Sequence, residues 1–245
     1  MDFDFLTHTP FWIALGQIII IDILLGGDNA VVIALACRKL PPEMRSKGIF
    51  WGTAGAIVLR VVLIVFAMTL LALPLIKAVG AALLVWIGVK LIAPEEDGHG
   101  DIRSSDKLLA AIQTIIVADL VMSVDNVIAI AGAAQSSGEH QILLVVLGLL
   151  ISIPIIVWGS QLVIKLMERF PVVIVLGGML LGWIAGGMLV SDPVFAHPEQ
   201  WLWMPKLPQS DMLKYGASLA GALLVLGLGK WLLARRKGTA TEQVH

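Results

Sequence analysis

Seven apolar segments of roughly 20 residues or more run through this 245-residue chain. A helix needs about 20 apolar residues to cross about 30 Å of hydrocarbon, and in lipid an open strand would leave its backbone polar groups unpaired. Only 14% of the residues are charged, against about 25% in soluble domains. We therefore predict an all-α, polytopic membrane protein with seven transmembrane helices. They are expected over residues 11–36, 48–72, 74–93, 107–134, 141–165, 171–190 and 213–234.

The chain also contains an internal repeat. A constant offset carries Asp22 to Asp119, Asp28 to Asp125, Asn29 to Asn126, Pro74 to Pro171 and Trp86 to Trp183. Each copy holds three helices, so the second copy must enter the membrane from the other side, and the two repeats are inverted. Secondary transporters commonly use inverted repeats with a binding site near the midplane. Within a single transmembrane domain, 1–245, we expect repeat 1 over 11–93, a cytoplasmic linker over 94–106, repeat 2 over 107–190, an extracytoplasmic loop over 191–212, the seventh helix over 213–234 and a basic cytoplasmic tail over 235–245.

The distribution of Lys and Arg predicts the orientation. With the N-terminus outside and the C-terminus inside, only Lys77, Lys206 and Lys214 fall on the outer side. Arg60 falls in the middle of the second segment, and all other Lys and Arg residues fall on the cytoplasmic side. Because basic residues accumulate in cytoplasmic loops, the sequence indicates a multi-pass protein of the bacterial cell (inner) membrane.

Four aspartates lie inside these apolar segments, in the duplicated strings DILLGGDNAVVIA from Asp22 and DLVMSVDNVIAIA from Asp119. An ionised carboxylate near the bilayer centre costs at least about 2.5 kcal/mol, so these residues need a function or a partner. At about 100° per residue, Asp22 and Asn29 share one helix face, whereas Asp28 points elsewhere. The second copy repeats this arrangement.

Carboxylate and amide oxygens suit hard or borderline divalent cations, whereas copper and zinc favour His and Cys. The five His residues fall in tails or loops, so we predict a divalent cation as the cargo and no tightly bound cofactor. Arg60 can neutralise only one aspartate, and an ion pair with Asp22 is the simplest arrangement. The other carboxylates must hold metal or protons, which makes exchange of metal for protons a plausible coupling.

Several other classes of protein fit less well. The net charge of −1 gives no reason to expect nucleic acid as a partner. An ATP-driven pump would need a phosphate-binding loop, and the string from Gly227 to Lys230 lacks the required Gly and the Ser or Thr. An intramembrane aspartyl enzyme would not explain why each Asp is followed by Asn and duplicated, so we expect no enzymatic activity. A membrane protein that binds metal without transporting it stays open, as does a homo-oligomer.

The string GGDNAVVIA and its second copy SVDNVIAIA, each preceded by an Asp six residues before its own Asp, resemble the TerC family of integral membrane proteins. That family falls in the larger LysE-type transporter superfamily, and the chain looks most like the YjbE-type members. The resemblance implies export of manganese(II) or manganese homeostasis, with tellurite resistance as a secondary description. It also implies metal contacts at Asp28, Asn29, Asp125 and Asn126, with Asp22 and Asp119 as supporting acids.

Overall fold

The computed structural model describes residues 9–66, 73, 75–93, 104–135, 141–196 and 210–242, and for residues 10, 25, 65, 125, 127–135, 141, 142, 196 and 236–242 it describes the backbone alone. Throughout these residues the regular structure is helical, with no strand. The helices are α1 (Thr9–Cys37), α2 (Pro42–Val65), α3 (Ile76–Ile92), α4 (Ser104–Gln135), α5 (Gln141–Arg169), α6 (Val172–Val190), the short α7 (Pro193–Ala196) and α8 (Asp211–Glu242).

Several of these helices can cross a membrane. In the described part of the chain, α2, α4, α5, α6 and α8 each contain a stretch long and apolar enough to span a bilayer. The first helix qualifies as one further span, with a bend of 45° between Phe11–Leu24 and Gly26–Cys37. The paired glycines Gly26 and Gly27 lie at this bend, as expected for residues that weaken helix propensity. Helix α3 has 17 residues, which is at the lower limit of spanning length.

The chain forms two compact units, and each unit draws on both halves of the sequence. The first unit comprises residues 1–71 and 104–165, and therefore contains α1, α2, α4 and most of α5. The second unit comprises residues 72–103 and 166–245, and contains α3, α6, α7 and α8. All four aspartates of the duplicated strings belong to the first unit.

Close contacts at glycines fix the helix directions in the first unit. Gly148 and Ile156 of α5 face Ile18 and Gly26 of α1 in the same order along both helices, so α1 and α5 run parallel. Likewise, Gly48 and Gly52 of α2 face residues Leu108 and Ile115 of α4, which makes that pair parallel as well. Gly48 also faces Cys37, near the end of α1, whereas Arg60, later in α2, contacts Asp22. Helices α1 and α2 are therefore antiparallel.

The second unit is held together by small residues at its helix crossings. Gly88 of α3 lies against Gly178 of α6, where an added Cβ would be 3.0 Å from the Gly178 carbonyl oxygen. Gly182 of α6 meets Gly221 of α8 at a similar backbone contact. Such small residues let helices approach closely in lipid, where packing replaces the hydrophobic driving force.

A buried carboxylate organises the start of α3. Asp192, which is fully buried, accepts hydrogen bonds from the backbone N–H groups of Leu75 and Val194 at 3.1 and 3.0 Å, and of Lys77 and Ala78 at 3.0 Å each. The first turn of a helix has N–H groups without helical partners, and an acceptor there satisfies them. Asp192 therefore caps α3 from the segment that follows α6.

Replacing Asp192 with Asn is expected to destabilise the protein by about 1–3 kcal/mol, because an NH₂ group would then face backbone donors. We expect the apparent melting temperature in detergent micelles to fall by about 2–12 °C. Asp211→Asn is the matched control, since Asp211 is an exposed acid in the first turn of α8. Equal melting temperatures for both variants would contradict the capping role.

Candidate functional site

The centre of the first unit holds one arginine between two aspartates. Arg60 of α2 donates from Nη1 to Asp22 of α1 and from Nη2 to Asp119 of α4. Its third donor, Nε, lies 3.0 Å from Ser123 Oγ. Since Asp22 and Asp119 are equivalent positions of the two sequence copies, a single guanidinium joins both copies. The structure thus pairs Arg60 with Asp22, as the sequence suggests, and adds Asp119.

Each aspartate in this cluster also accepts a hydrogen bond from a serine. Ser123 Oγ donates to Asp119 Oδ2 at 3.0 Å, and Ser152 of α5 donates to Asp22 Oδ2. Asp22 is 1% exposed, Arg60 4% and Asp119 7%. With both carboxylates ionised, the cluster has one negative charge in excess. A buried cluster of this kind is tolerated only when its charges are paired and hydrogen-bonded.

A cavity opens beside this cluster. The cavity volume, counted as the space that the centre of a water molecule can occupy, is about 20 Å³. On the same measure, about 10–15 Å³ is enough to hold one water. The cavity therefore has room for a water or one small ion. Its lining residues are Asp22, Asn29, Val32, Ile33, Thr53, Ala56, Ile57, Arg60, Ile115, Asp119, Leu149, Ile153 and Ile156.

Two polar atoms of the cavity lining lack a partner. Asn29 Oδ1 and Thr53 Oγ1 are buried, and no hydrogen bond to either is found among the described residues. Both residues are 5% exposed. An unpaired buried polar atom costs about 1–3 kcal/mol, so such atoms are rare outside functional sites. These two oxygens therefore have unused hydrogen-bonding and ligating capacity beside the cavity.

Of the six aspartate and asparagine residues of the motifs, some line the cavity and others do not. Asp22, Asn29 and Asp119 line the cavity, in keeping with the shared face of Asp22 and Asn29 in α1. Asp28 and Asn126 are half-buried and are not among the lining residues, whereas the side chain of residue 125 lies outside the described part. Asp28 Oδ1 instead accepts the N–H of Asn29 at 2.8 Å, next to the bend in α1.

Three residues of the site were not singled out from the sequence as site residues: Thr53, Ser123 and Ser152. A signal was available for two of them. Thr53 precedes Arg60 by seven residues, which places it on the same face of α2, and Ser123 follows Asp119 by four residues, one helical turn later. Ser152 depends on the packing of α5 against α1, for which the local sequence gives no signal.

The described side chains contain no preformed metal site. Among the described side chains, no group of three or more His, Cys, Asp or Glu residues is placed to hold a metal ion. Five of the lining residues of the cavity are polar, and four of them carry carboxylate, amide or hydroxyl oxygens, the ligands that hard divalent cations accept, although most of the cavity surface is apolar. Arg60 already occupies one side of both carboxylates, so an ion that used them fully would have to displace its guanidinium.

The fold and site define a helical membrane protein with a buried cluster of two carboxylates and one guanidinium next to a small cavity. A family model described as the integral membrane protein TerC family matches residues 7–237. The chain therefore belongs to the TerC family of integral membrane proteins.

Several curated proteins are similar to this chain. The membrane protein YjbE of Bacillus subtilis is 44% identical over 182 residues, covering 74% of this chain and 81% of that protein. The inner membrane protein YgdQ of Escherichia coli K12 is 28% identical over 190 residues, covering 70% and 77%. The membrane protein YkoY of Bacillus subtilis is 26% identical over 192 residues, covering 72% and 58%. No solved structure gives a significant match.

Proposed function

We propose that this protein exports divalent metal cations, with manganese(II) as its principal cargo, through the cavity of the first unit. The membrane is the bacterial inner membrane, a proposal supported by the similarity to YgdQ, which is named as an inner membrane protein. Cargo contacts come from Asn29, Asp22 and Asp119, with Asp28, Asp125 and Asn126 as further contact positions implied by the duplicated motif. No chemical reaction is assigned to the aspartates, because the Arg60 guanidinium lies between Asp22 and Asp119.

The observation that carries this proposal is the cavity lined by Asp22, Asp119 and the unpartnered oxygen of Asn29. A purely structural polar cluster would have all its buried acceptors satisfied. The excess negative charge of the cluster also favours a cation over an anion. Carboxylate and amide oxygens suit magnesium, calcium and manganese(II), and the resemblance to TerC proteins favours manganese among these.

The proposal includes seven transmembrane helices in two inverted three-helix repeats, with the N-terminus outside. The helix bounds support the repeat, because α1, α2 and α3 shifted by the sequence offset begin within two residues of α4, α5 and α6 and end within seven. Packing supports it too. The equivalent residues Ile18 and Ile115 are both buried, and each lies against a glycine of a parallel neighbour, Gly148 and Gly52 respectively.

We further propose that protons exchange for the metal. When the cation leaves, its charge must be replaced, because two carboxylates with one arginine keep an uncompensated negative charge in a low-dielectric environment. A proton on Asp22 or Asp119 restores neutrality, and the cluster then needs no other cation. Export of one metal ion would thus be coupled to uptake of protons from the opposite side.

Liposomes that contain the purified protein and a dye quenched by manganese test the transport proposal. We expect added manganese(II) to quench the dye in the protein-containing vesicles, faster when an opposing pH gradient is imposed, and not in empty vesicles. A manganese flux that is the same with and without the pH gradient would contradict proton coupling but would still show transport. Manganese binding without any flux would instead favour a protein that handles or delivers metal without moving it, including a scaffold role linked to tellurite resistance.

A further inference from the structure

The two unpartnered oxygens belong to residues of neighbouring antiparallel helices, Asn29 of α1 and Thr53 of α2, that line one cavity. The antiparallel helices are aligned at one level by Asp22 and Arg60 and at another by Cys37 and Gly48. Asn29 follows Asp22 by seven residues, and Thr53 precedes Arg60 by seven residues. Both residues therefore lie between these two levels, Asn29 on α1 between Asp22 and Cys37 and Thr53 on α2 between Gly48 and Arg60.

We infer that Asn29 Oδ1 and Thr53 Oγ1 form a separate cation subsite, distinct from the Asp22–Asp119 pair, which binds a divalent cation. This inference rests on the proposed transport function and extends it to a residue, Thr53, outside the duplicated motif. In the proposed orientation the subsite lies on the cytoplasmic side of the carboxylates. An exported ion reaches it first.

The chemistry of the pair sets the kind of ligand. An amide oxygen and a hydroxyl are oxygen ligands of the kind that a hard divalent cation takes, and two of them supply only part of the about six or more that it needs. An anion is disfavoured because the Arg60 guanidinium already contacts two carboxylates through Nη1 and Nη2. The net negative charge of that cluster attracts a cation along the same cavity.

A structural role explains the pair poorly. Neither oxygen is used in the described fold, although a threonine in a helix can readily donate to a carbonyl one turn earlier, as Thr114 does to Ala110 at 2.8 Å. The second sequence copy has Leu150 at the position equivalent to Thr53, so the subsite exists in one copy only. An exporter must bind its cation on the cytoplasmic side and release it on the outer side, so a ligand site on one side of the cluster is consistent with export.

Thr53→Val in the full-length protein tests the subsite, because valine keeps the shape and removes only the oxygen. We expect manganese(II) affinity, measured by titration calorimetry in detergent, to fall about tenfold. In liposomes, the manganese concentration for half-maximal flux should rise by a similar factor while the maximal flux changes little. Thr53→Ser should retain wild-type values, and Thr114→Val is the matched control because the Thr114 hydroxyl is satisfied within its own helix.

Folding is monitored in the same samples. With chelator present, the melting temperature of Thr53→Val should equal or exceed that of the wild type, because an unpaired buried hydroxyl is removed. Wild-type manganese binding that Thr53→Val leaves unchanged would overturn the subsite alone. A wild-type protein that binds no divalent cation would overturn both the subsite and the proposed function.

Discussion

Arg60→Met is expected to lower the stability of the protein by about 3–5 kcal/mol, because two buried carboxylates lose the cation that they share. The apparent melting temperature in detergent should fall by about 6–20 °C. Methionine keeps most of the length of the side chain, so the loss reports charge and hydrogen bonding more than packing. Thermal unfolding followed by tryptophan fluorescence measures the effect.

Two further variants isolate the electrostatic part of that loss. Arg169→Met is the matched control, since Arg169 is exposed at the end of α5 and lies 5.8 Å from the ring of Phe170, a contact that contributes about 0.5–1 kcal/mol. Adding Asp119→Asn to Arg60→Met removes one of the orphaned charges and should recover part of the stability. Equal losses for Arg60→Met and Arg169→Met would show that the cluster does not depend on its arginine.

The helices could be predicted from the sequence because lipid imposes their length and apolar composition. The predicted segment 171–190 corresponds to Val172–Val190 in the structure, and 74–93 corresponds to Ile76–Ile92. The common face of Asp22 and Asn29 also follows from helix periodicity alone. Each of these predictions depends on one helix at a time, which is why the local sequence suffices.

Contacts between helices were harder to foresee. The sequence pattern suggests that Arg60 pairs with an aspartate. A guanidinium that contacts Asp22 and Asp119 at once, however, requires α1, α2 and α4 to meet at one level. That meeting depends on helix packing at Gly48 and Gly52. The cap at Asp192 is a stronger example. Asp192 follows the end of α6 in a segment without periodicity, and its partners are the backbone of residues 75–78. Only the folded second unit brings them together.

Asp119→Asn is expected to reduce manganese(II) flux by about 30-fold or more while leaving the protein folded. Asparagine has nearly the shape of aspartate, but it removes the excess negative charge that attracts the cation, so Arg60 is then balanced by Asp22 alone. Loss of one partner from a buried charge interaction costs about 2–5 kcal/mol, which corresponds to a flux reduced by between tens and thousands of times at limiting manganese. Asp22→Asn should have a similar effect, because Arg60 forms one ion pair with each of the two carboxylates.

The matched control for this prediction is Asp106→Asn, a substitution of an exposed carboxylate in the first turn of the same helix, α4. It should transport manganese at the wild-type rate, since a surface charge outside the cavity neither binds the ion nor balances Arg60. If Asp119→Asn retains wild-type flux and a wild-type melting temperature, the Asp22–Arg60–Asp119 cluster is a structural element and the ion follows another route. If Asp119→Asn loses flux but added manganese still raises its melting temperature, the ion binds first at other oxygens of the cavity. Asp119 then acts in the later step that moves the ion across the membrane.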